Sequence, residues 1–327
     1  MKTILVTGGS GFIGSHFVDL LLNKNLRVVN IDNLTYASIK NKNNFSNNKN
    51  YFFYNFNICN TKELLKVLKR FNPINVFNFA AETHVDNSIS GPKKFIHSNI
   101  LGTYSLLQSI RIHLDSNDLL RKKFKLIHVS TDEVYGDSFQ KKKFDELSTL
   151  NPSSPYSASK ASSDMLVKAW GRTYKIPYLI TVSSNNFGEN QHKEKFIPKI
   201  ITNIIEQKKV PVFGNGKQCR DWIYVKDNCR SIYKISKKGK VGNTYNIASG
   251  KLINNINLIK KIIFIINKIL NKNIKIKNSI KFIKDRPGHD RIYNISNHKM
   301  KKLGIKIEPL NNHNLLKTIK FFLENCS

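Results

Sequence analysis

Lys2-Thr3-Ile4-Leu5-Val6-Thr7-Gly8-Gly9-Ser10-Gly11-Phe12-Ile13-Gly14-Ser15 reads as a short β-rich run, a glycine turn and the start of an amphipathic helix that continues to about Asn23. Gly8, Gly11 and Gly14 fall in G-x-x-G-x-x-G spacing, where missing side chains permit a tight turn and let a pyrophosphate approach the amino end of the helix. A second strand is expected over Arg27 to Ile31. It ends in Asp32, about twenty residues past the glycines, where a ribose-binding carboxylate is needed. An acid at that position favours NAD over the phosphorylated dinucleotide.

The same alternation continues outward. The Asn/Lys-rich segment Ile39 to Asn50 is expected to be a surface loop or frayed helix. A strand at Tyr51 to Asn55, a helix at Thr61 to Phe71 and a strand at Asn75 to Phe79 follow, and the last runs into Ala80-Ala81-Glu82-Thr83-His84-Val85-Asp86. A lone histidine is more often structural than functional, but the strand-end loop makes His84 a candidate contact. Helices are expected over Phe95 to Leu114 and Tyr156 to Tyr174, and strands over Phe124 to Val129 and Tyr178 to Val182. Strands alternating with helices predict a Rossmann-type α/β fold, a doubly wound parallel sheet with helices on both faces.

Two further stretches carry chemistry. Ser130-Thr131-Asp132-Glu133 falls at the end of the Phe124 strand, where open α/β sheets bind ligands. A hydroxyl followed by two carboxyls supplies a hydrogen bonder and a pair that unequal surroundings can split into one acid and one base. Tyr156 and Lys160, four apart, share a helix face, and a nearby ammonium favours the phenolate. Either motif alone reads as a helix cap or a surface pair; together with the glycine turn they read as an acid/base site.

From about Gln191 the elements shorten and turns multiply, so residues 191–327 are expected to form a smaller, interleaved substrate-binding domain beside an NAD-binding domain of residues 1–190. Lys141 to Lys143 reads as loop, and Leu252 to Leu270 as one apolar helix. Arg220-Asp221-Trp222 offers a guanidinium suited to phosphate, a carboxylate to orient it and an aromatic plane. The balance of 54 Lys+Arg against 22 Asp+Glu gives a net charge of +32, yet the charge is scattered through Lys/Asn/Ile-rich stretches and no docking element for base readout is found. No specific nucleic-acid partner is expected. Cys59, Cys219, Cys229 and Cys326 form no CxxC pair or ligand cluster, which predicts no structural metal and a reducing, cytoplasmic setting. The first strand starts at Met1, so no leader is expected. Ile262 to Ile266 is too short to span a bilayer, and the sequons at Asn44 and Asn294 are read as accidental.

In family order the chain carries TGGSGFIGS at Thr7 to Ser15, VVNIDNLTYA at Val28 to Ala37, AAETHVD at Ala80 to Asp86, STDEVYG at Ser130 to Gly136 and YSASK at Tyr156 to Lys160. SNNFG at Ser184 to Gly188, RDWIYV at Arg220 to Val225 and RPGHDRIY at Arg286 to Tyr293 complete the series. From Lys2 to about Pro309 this resembles the extended short-chain dehydrogenase/reductase superfamily, specifically its nucleotide-sugar-modifying branch. Thr-Asp-Glu is similar to the dTDP-glucose 4,6-dehydratase family, since related 4-epimerases have small hydroxyl residues there and need no carboxyl pair. The resemblance implies that Tyr156, held ionisable by Lys160 and aided by Thr131, takes the 4-hydroxyl proton while C4 gives hydride to NAD. The new ketone acidifies C5; Glu133 then removes that proton, Asp132 protonates the leaving 6-hydroxyl, hydride returns to C6 and a proton reaches C5. The residues alone leave the order of acid and base open.

The resemblance further implies that Gly8, Gly11, Phe12, Ile13, Gly14, Asp32, Asn33, Leu34, Thr35, Asn57, Ile58, Ala80, Ala81, Ser98, Tyr156, Lys160 and Asn186 contact NAD. Thr83, His84, Thr131, Asn185, Lys195, Phe196, Arg220, Asn246, Arg286 and His289 would line the sugar-nucleotide pocket. A homodimer through the Phe95 and Tyr156 helices is implied as well. Four positions depart from the family pattern: Asn57 replaces an aspartate, Glu189 a proline, Ala248-Ser249 a glycine pair, and Ile305 a tryptophan. The rival readings are a 4-epimerase or another nucleotide-sugar dehydratase of the same fold and, from a different class, a catalytically idle NAD-binding nucleic-acid partner.

Overall fold

The computed structural model describes residues 2–39, 43–138 and 142–325. Met1 of the first strand, residues 40–42 of the polar segment, Lys141 and Cys326 lie outside them. The strands are β1 Thr3–Thr7, β2 Arg27–Asp32, β3 Tyr51–Asn55, β4 Asn75–Asn78, β5 Lys125–Thr131, β6 Tyr178–Ser183, β7 Asn185–Phe187, β8 Val210–Phe213, β9 Cys219–Tyr224, β10 Asn243–Ile247, β11 Leu252–Asn254 and β12 Ile280–Ile283. Seven form one sheet in the order β10-β6-β5-β4-β1-β2-β3, and each adjacent pair is parallel. The order reverses between β1 and β4, and that crevice is where such sheets bind ligands.

Successive residues of a strand face opposite sides, so Ile4 and Val6 of β1 enter one core and Leu5 enters the other. Phe17, Val18 and Leu21 of the first helix pack in the former with Ile232 and Ile235 of helix Val225–Lys238. The latter holds Leu64 and Leu68 of helix Thr61–Phe71, Leu107 and Ile110 of helix Gly102–Asp115, and Val167 of helix Pro155–Tyr174. Each fully buried side chain of this kind contributes about 1.5–3 kcal/mol, so the sheet is clamped from both faces.

β10 joins this sheet although it lies beyond residue 190: it pairs with β6 from Asn243↔Leu179 to Ile247↔Ser183. The remaining strands make two small sheets, β11-β9-β7 and β12-β8. Two expectations change. Leu252 to Leu270 is not one helix, because Leu252–Asn254 pairs antiparallel with β9 and the helix begins at Asn255, where the Asn254 side chain accepts from the Asn257 amide (2.8 Å). That cap ends the strand, and the apolar pattern carries no trace of it. The Phe95 helix runs from Lys93 to Asp115 with a π-helical turn at Ile96–Leu101. There the Asn99 side chain accepts from the Glu82 amide and donates to the Glu82 carbonyl and to Ser159, while the Asn99 backbone carbonyl accepts from the Ser163 hydroxyl. The turn thus ties the loop after β4 to the helix that carries Tyr156. No helix among the described residues is long and apolar enough to cross a membrane.

Candidate active site

A cavity of about 560 Å³ opens along the carboxyl ends of β1, β2, β4, β5 and β6. At one end the glycine turn forms its floor. Gly8 has φ +72°, and a Cβ on Gly14 would stand 2.1 Å from the Gly8 carbonyl oxygen, so neither position takes a side chain without backbone movement. Asp32 closes β2 with both carboxylate oxygens anchored, one by the Ser10 amide and the other by the Leu34 amide, each at 2.8 Å. A second lone pair on each oxygen remains for a ligand hydroxyl.

Gly8, Gly11, Phe12, Ile13, Gly14, Asp32, Asn33, Thr35, Asn57, Ile58, Ala80, Ala81, Ser98 and Asn186 all line the cavity. Leu34 does not: it has φ +54°, and only its amide serves the site, through Asp32. Along the walls the buried Asn185 Oδ1, Asn186 Oδ1 and Ser184 Oγ have no hydrogen-bond partner among the described residues. Orphaned polar atoms beside a side-chain-free phosphate cradle are the surroundings a dinucleotide would satisfy.

The acid/base residues meet mid-cavity. β5 ends at Thr131, whose hydroxyl caps the 3₁₀ turn Asp132–Tyr135. Ser154 and Ser157 form a capping box with Pro155 at the first helical position, which delivers Tyr156 into the first turn of its helix. Lys160, one turn on, donates to the Val129 carbonyl at 2.8 Å. Burial pushes the Tyr156 phenol up, with Glu133 and Asp132 adding to the push and a Thr131 hydrogen bond opposing it. Burial, followed by the neighbouring Glu133, raises the Asp132 carboxyl well above its ordinary value, and its Oδ2 is buried without a partner among the described residues. Glu133 is raised too, by burial, against the pull of Arg286, Arg220 and Lys195.

Those three cations mark the other end, together with Thr83, His84, Phe196 and His289, all lining the cavity. Lys195 donates to the Thr83 carbonyl at 2.7 Å, and Arg286 pairs with Asp86 at 3.1 Å. Arg220 differs from expectation. Asp221 does not orient it, because adjacent residues of a strand point to opposite faces: Asp221 accepts from Ser249 and the Gly250 amide, while the Trp222 ring stacks on Phe196. Carbonyls of Cys219, Arg291 and Asp290 hold the guanidinium, 4.0 Å over the Tyr293 ring. Asn246 also lies outside the cavity. It is fully buried in β10, accepts from Tyr135 (2.9 Å) and donates to the Phe144 carbonyl.

Two residues in and beside the cavity, Glu194 on its wall and Tyr293 behind it, are not marked by the sequence. Glu194 accepts from Tyr36 (3.1 Å) and lies 3.8 Å from His84 and 3.6 Å from His192, joining three loops across the cleft. Tyr293 donates to Asp290 at 2.8 Å and reaches Glu133 at 3.4 Å. Neither has a periodic or motif signal; only Tyr293's place at the end of RPGHDRIY hinted at a role.

A dinucleotide cradle that opens directly onto a tyrosine/lysine pair, with a second small lobe supplying the cations, defines an extended short-chain dehydrogenase/reductase. The profile of the GDP-mannose 4,6 dehydratase family matches residues 5–308. The dTDP-glucose 4,6-dehydratase of Shigella flexneri is 42% identical over 99% of this chain and 93% of its own, and that of Haemophilus influenzae is 42% identical over 100% and 99%. Among solved structures, the dTDP-glucose 4,6-dehydratase of Streptomyces venezuelae, with NAD bound, superposes with a TM-score of 0.90 at 34% identity over 99% of this chain and 98% of its own. The UDP-glucose 4-epimerase of Thermotoga maritima reaches 0.86 at 26% identity over the whole of both chains. The chain belongs to the dTDP-glucose 4,6-dehydratase family.

Proposed function

We propose that the protein is a hydro-lyase that uses NAD to convert dTDP-glucose to dTDP-4-keto-6-deoxyglucose. The observation that carries this reading is the adjacent pair Asp132 and Glu133 at the end of β5, lining one cavity with Thr131 and Tyr156. An epimerase has no use for two such carboxyls. NAD, held by the glycine turn, Asp32 and Asn186, would supply a hydride acceptor at C4 and return that hydride at C6. Tyr156 takes the 4-hydroxyl proton, assisted by Thr131 and Lys160. Asp132, the more deeply buried acid, donates to the leaving 6-hydroxyl. Glu133 faces Arg286, Arg220 and Lys195 and ionises more readily, so it is the group to remove the C5 proton, and a proton is returned to C5 as hydride adds at C6. The same cations would meet the diphosphate.

The remaining parts fit this reading. Residues 191–327 supply Lys195, Phe196, Arg220, Arg286 and His289, and so serve mainly the sugar nucleotide, while residues 1–190 hold the cofactor. Ile96, Leu101, Tyr104 and Met165 expose 44–56% of their surface on the Phe95 and Tyr156 helices, an apolar face suited to a homodimer. The free thiols of Cys59, Cys219 and Cys229 suit a reducing cytoplasm. Incubation with dTDP-glucose and catalytic NAD, followed by the alkali-induced absorbance of a 4-keto sugar, tests the proposal. Product from UDP-glucose or GDP-mannose alone would move the substrate; C4 epimer without ketone would refute the dehydratase.

A further inference from the structure

Five polar side chains are buried together with the catalytic Lys160, none of the six more than 5% exposed. Thr7 Oγ1 donates to Asn78 Oδ1 (2.6 Å), and the Asn78 amide nitrogen faces His128 Nδ1 (3.0 Å). His128 Nε2 lies 3.3 Å from Asp164 Oδ1 and 3.5 Å from Lys160 Nζ, and Ser130 Oγ donates to Asp164 Oδ2 (2.7 Å). The His128–Asp164 contact has the distance of an ion pair without the alignment of a full hydrogen bond.

Donor and acceptor roles follow from the ends of this chain. The Asn78 oxygen is taken by Thr7, so its NH₂ points at the ring and His128 Nδ1 must accept. A carboxylate beside Nε2 requires the proton there. Both ends assign the same tautomer, and burial together with the Lys160 charge keeps the ring neutral. Nε2–H then cannot accept from Lys160. Within the cluster Lys160 is the one cation and Asp164 the one carboxylate. The other titratable groups near the pair are Tyr156 on the same helix and Asp132 and Glu133 at the end of β5; burial raises all three, and at Glu133 the charges of Arg286, Arg220 and Lys195 oppose it.

We propose that Asp164 is a positioning residue for this enzyme: it supplies the buried counter-charge that keeps Lys160 an ammonium ion beside Tyr156, across a neutral His128 whose tautomer Asn78 and Thr7 set. The inference rests on the roles given above to Tyr156 and Lys160. Burial drives Lys160 toward losing its proton and Asp164 opposes this. Without the carboxylate, Lys160 gives up its proton first and the phenolate loses its partner.

Protein labelled with ¹³C at lysine Cε, without NAD, tests this, with the resonance lost in Lys160→Met identifying Lys160. In the wild type it stays charged through neutral pH and titrates below the bulk lysines. In Asp164→Asn it titrates about one pH unit or more lower, the scale on which a nearby opposite charge acts. The alkaline limb of turnover moves down with it, and Asp164→Glu restores both. An unmoved Lys160 titration in Asp164→Asn overturns the proposal; so does a neutral Lys160 in the wild type at neutral pH, a result that needs no folded variant. A wild type that makes no 4-keto sugar would instead overturn the dehydratase reading and leave the lysine titration to be judged by itself.

Discussion

The two ends of the cleft are built by different means. The cofactor end uses backbone: glycines that admit no Cβ, strand-end amides and an aspartate anchored by residues close in sequence. The sugar end uses side chains held from far along the chain, such as Lys195 on Thr83, Arg286 on Asp86 and Arg220 on the carbonyls of Asp290 and Arg291. A backbone site tolerates changes in side chains around it but none in the chain path. A side-chain site can be retuned by one substitution, and it fails when a distant support is lost.

The contrast breaks most sharply at the acid/base set between the two ends. Glu133→Gln should lower turnover about 10²- to 10⁴-fold, the usual contribution of a positioned base, with NAD affinity by fluorescence titration unchanged. A variant that loses NAD as well would erase the separation of the two ends. At the sugar end, Arg220→Lys cannot reproduce three bonds to carbonyls. Losses of about 1.5–3 kcal/mol per charged hydrogen bond predict kcat/KM down at least tenfold for dTDP-glucose. At the cofactor end, Gly14→Ala sets a Cβ against the Gly8 carbonyl. An overpacking cost of about 1–3 kcal/mol should appear as a lower melting temperature and weakened NAD binding, with no change in preference among sugar nucleotides.

The smallest effect is one of stability. The folded state raises the Asp132 carboxyl above its unfolded value, so it binds more protons there than the unfolded chain does, and its contribution to stability is lost as pH rises through the folded value. Asp132→Asn should therefore abolish dehydration yet melt above the wild type at neutral pH, with the advantage shrinking as pH falls toward the ordinary carboxylate range. A variant that melts lower at neutral pH would mean that the carboxylate is satisfied in a way the structure does not show.

What the sequence disclosed follows the same division. The glycine spacing, Asp32, and Tyr156 with Lys160 are legible because each depends on a local turn or one helical repeat. The parallel sheet is legible because each strand is an apolar run ending at polar residues. Arg220 was misread in its surroundings because adjacency in a strand is not adjacency in space, and Tyr293, which stacks on it, lies in another segment. Asn246 sits in β10, whose pairing with β6 crosses a long stretch of intervening chain, and its side chain is spent on Tyr135. Glu194 joins Tyr36 and His84 only once three loops have met. The Asn254 cap and the π turn at Ile96–Leu101 rest on side-chain hydrogen bonds that hydrophobic periodicity does not record.

The late arrival of β10 in the sheet bears on how the protein is made. As the chain leaves the ribosome, β1 to β6 emerge first, but β6 stays an open edge until Ile247 has followed, and the face of the first helix stays bare until helix Val225–Lys238 arrives. An unpaired, apolar strand edge invites pairing with other chains. A chain that ends before β10 would therefore present that edge and the uncovered face of the first helix to other chains, so β10 and helix Val225–Lys238 act as a closing seal on the sheet as well as part of it.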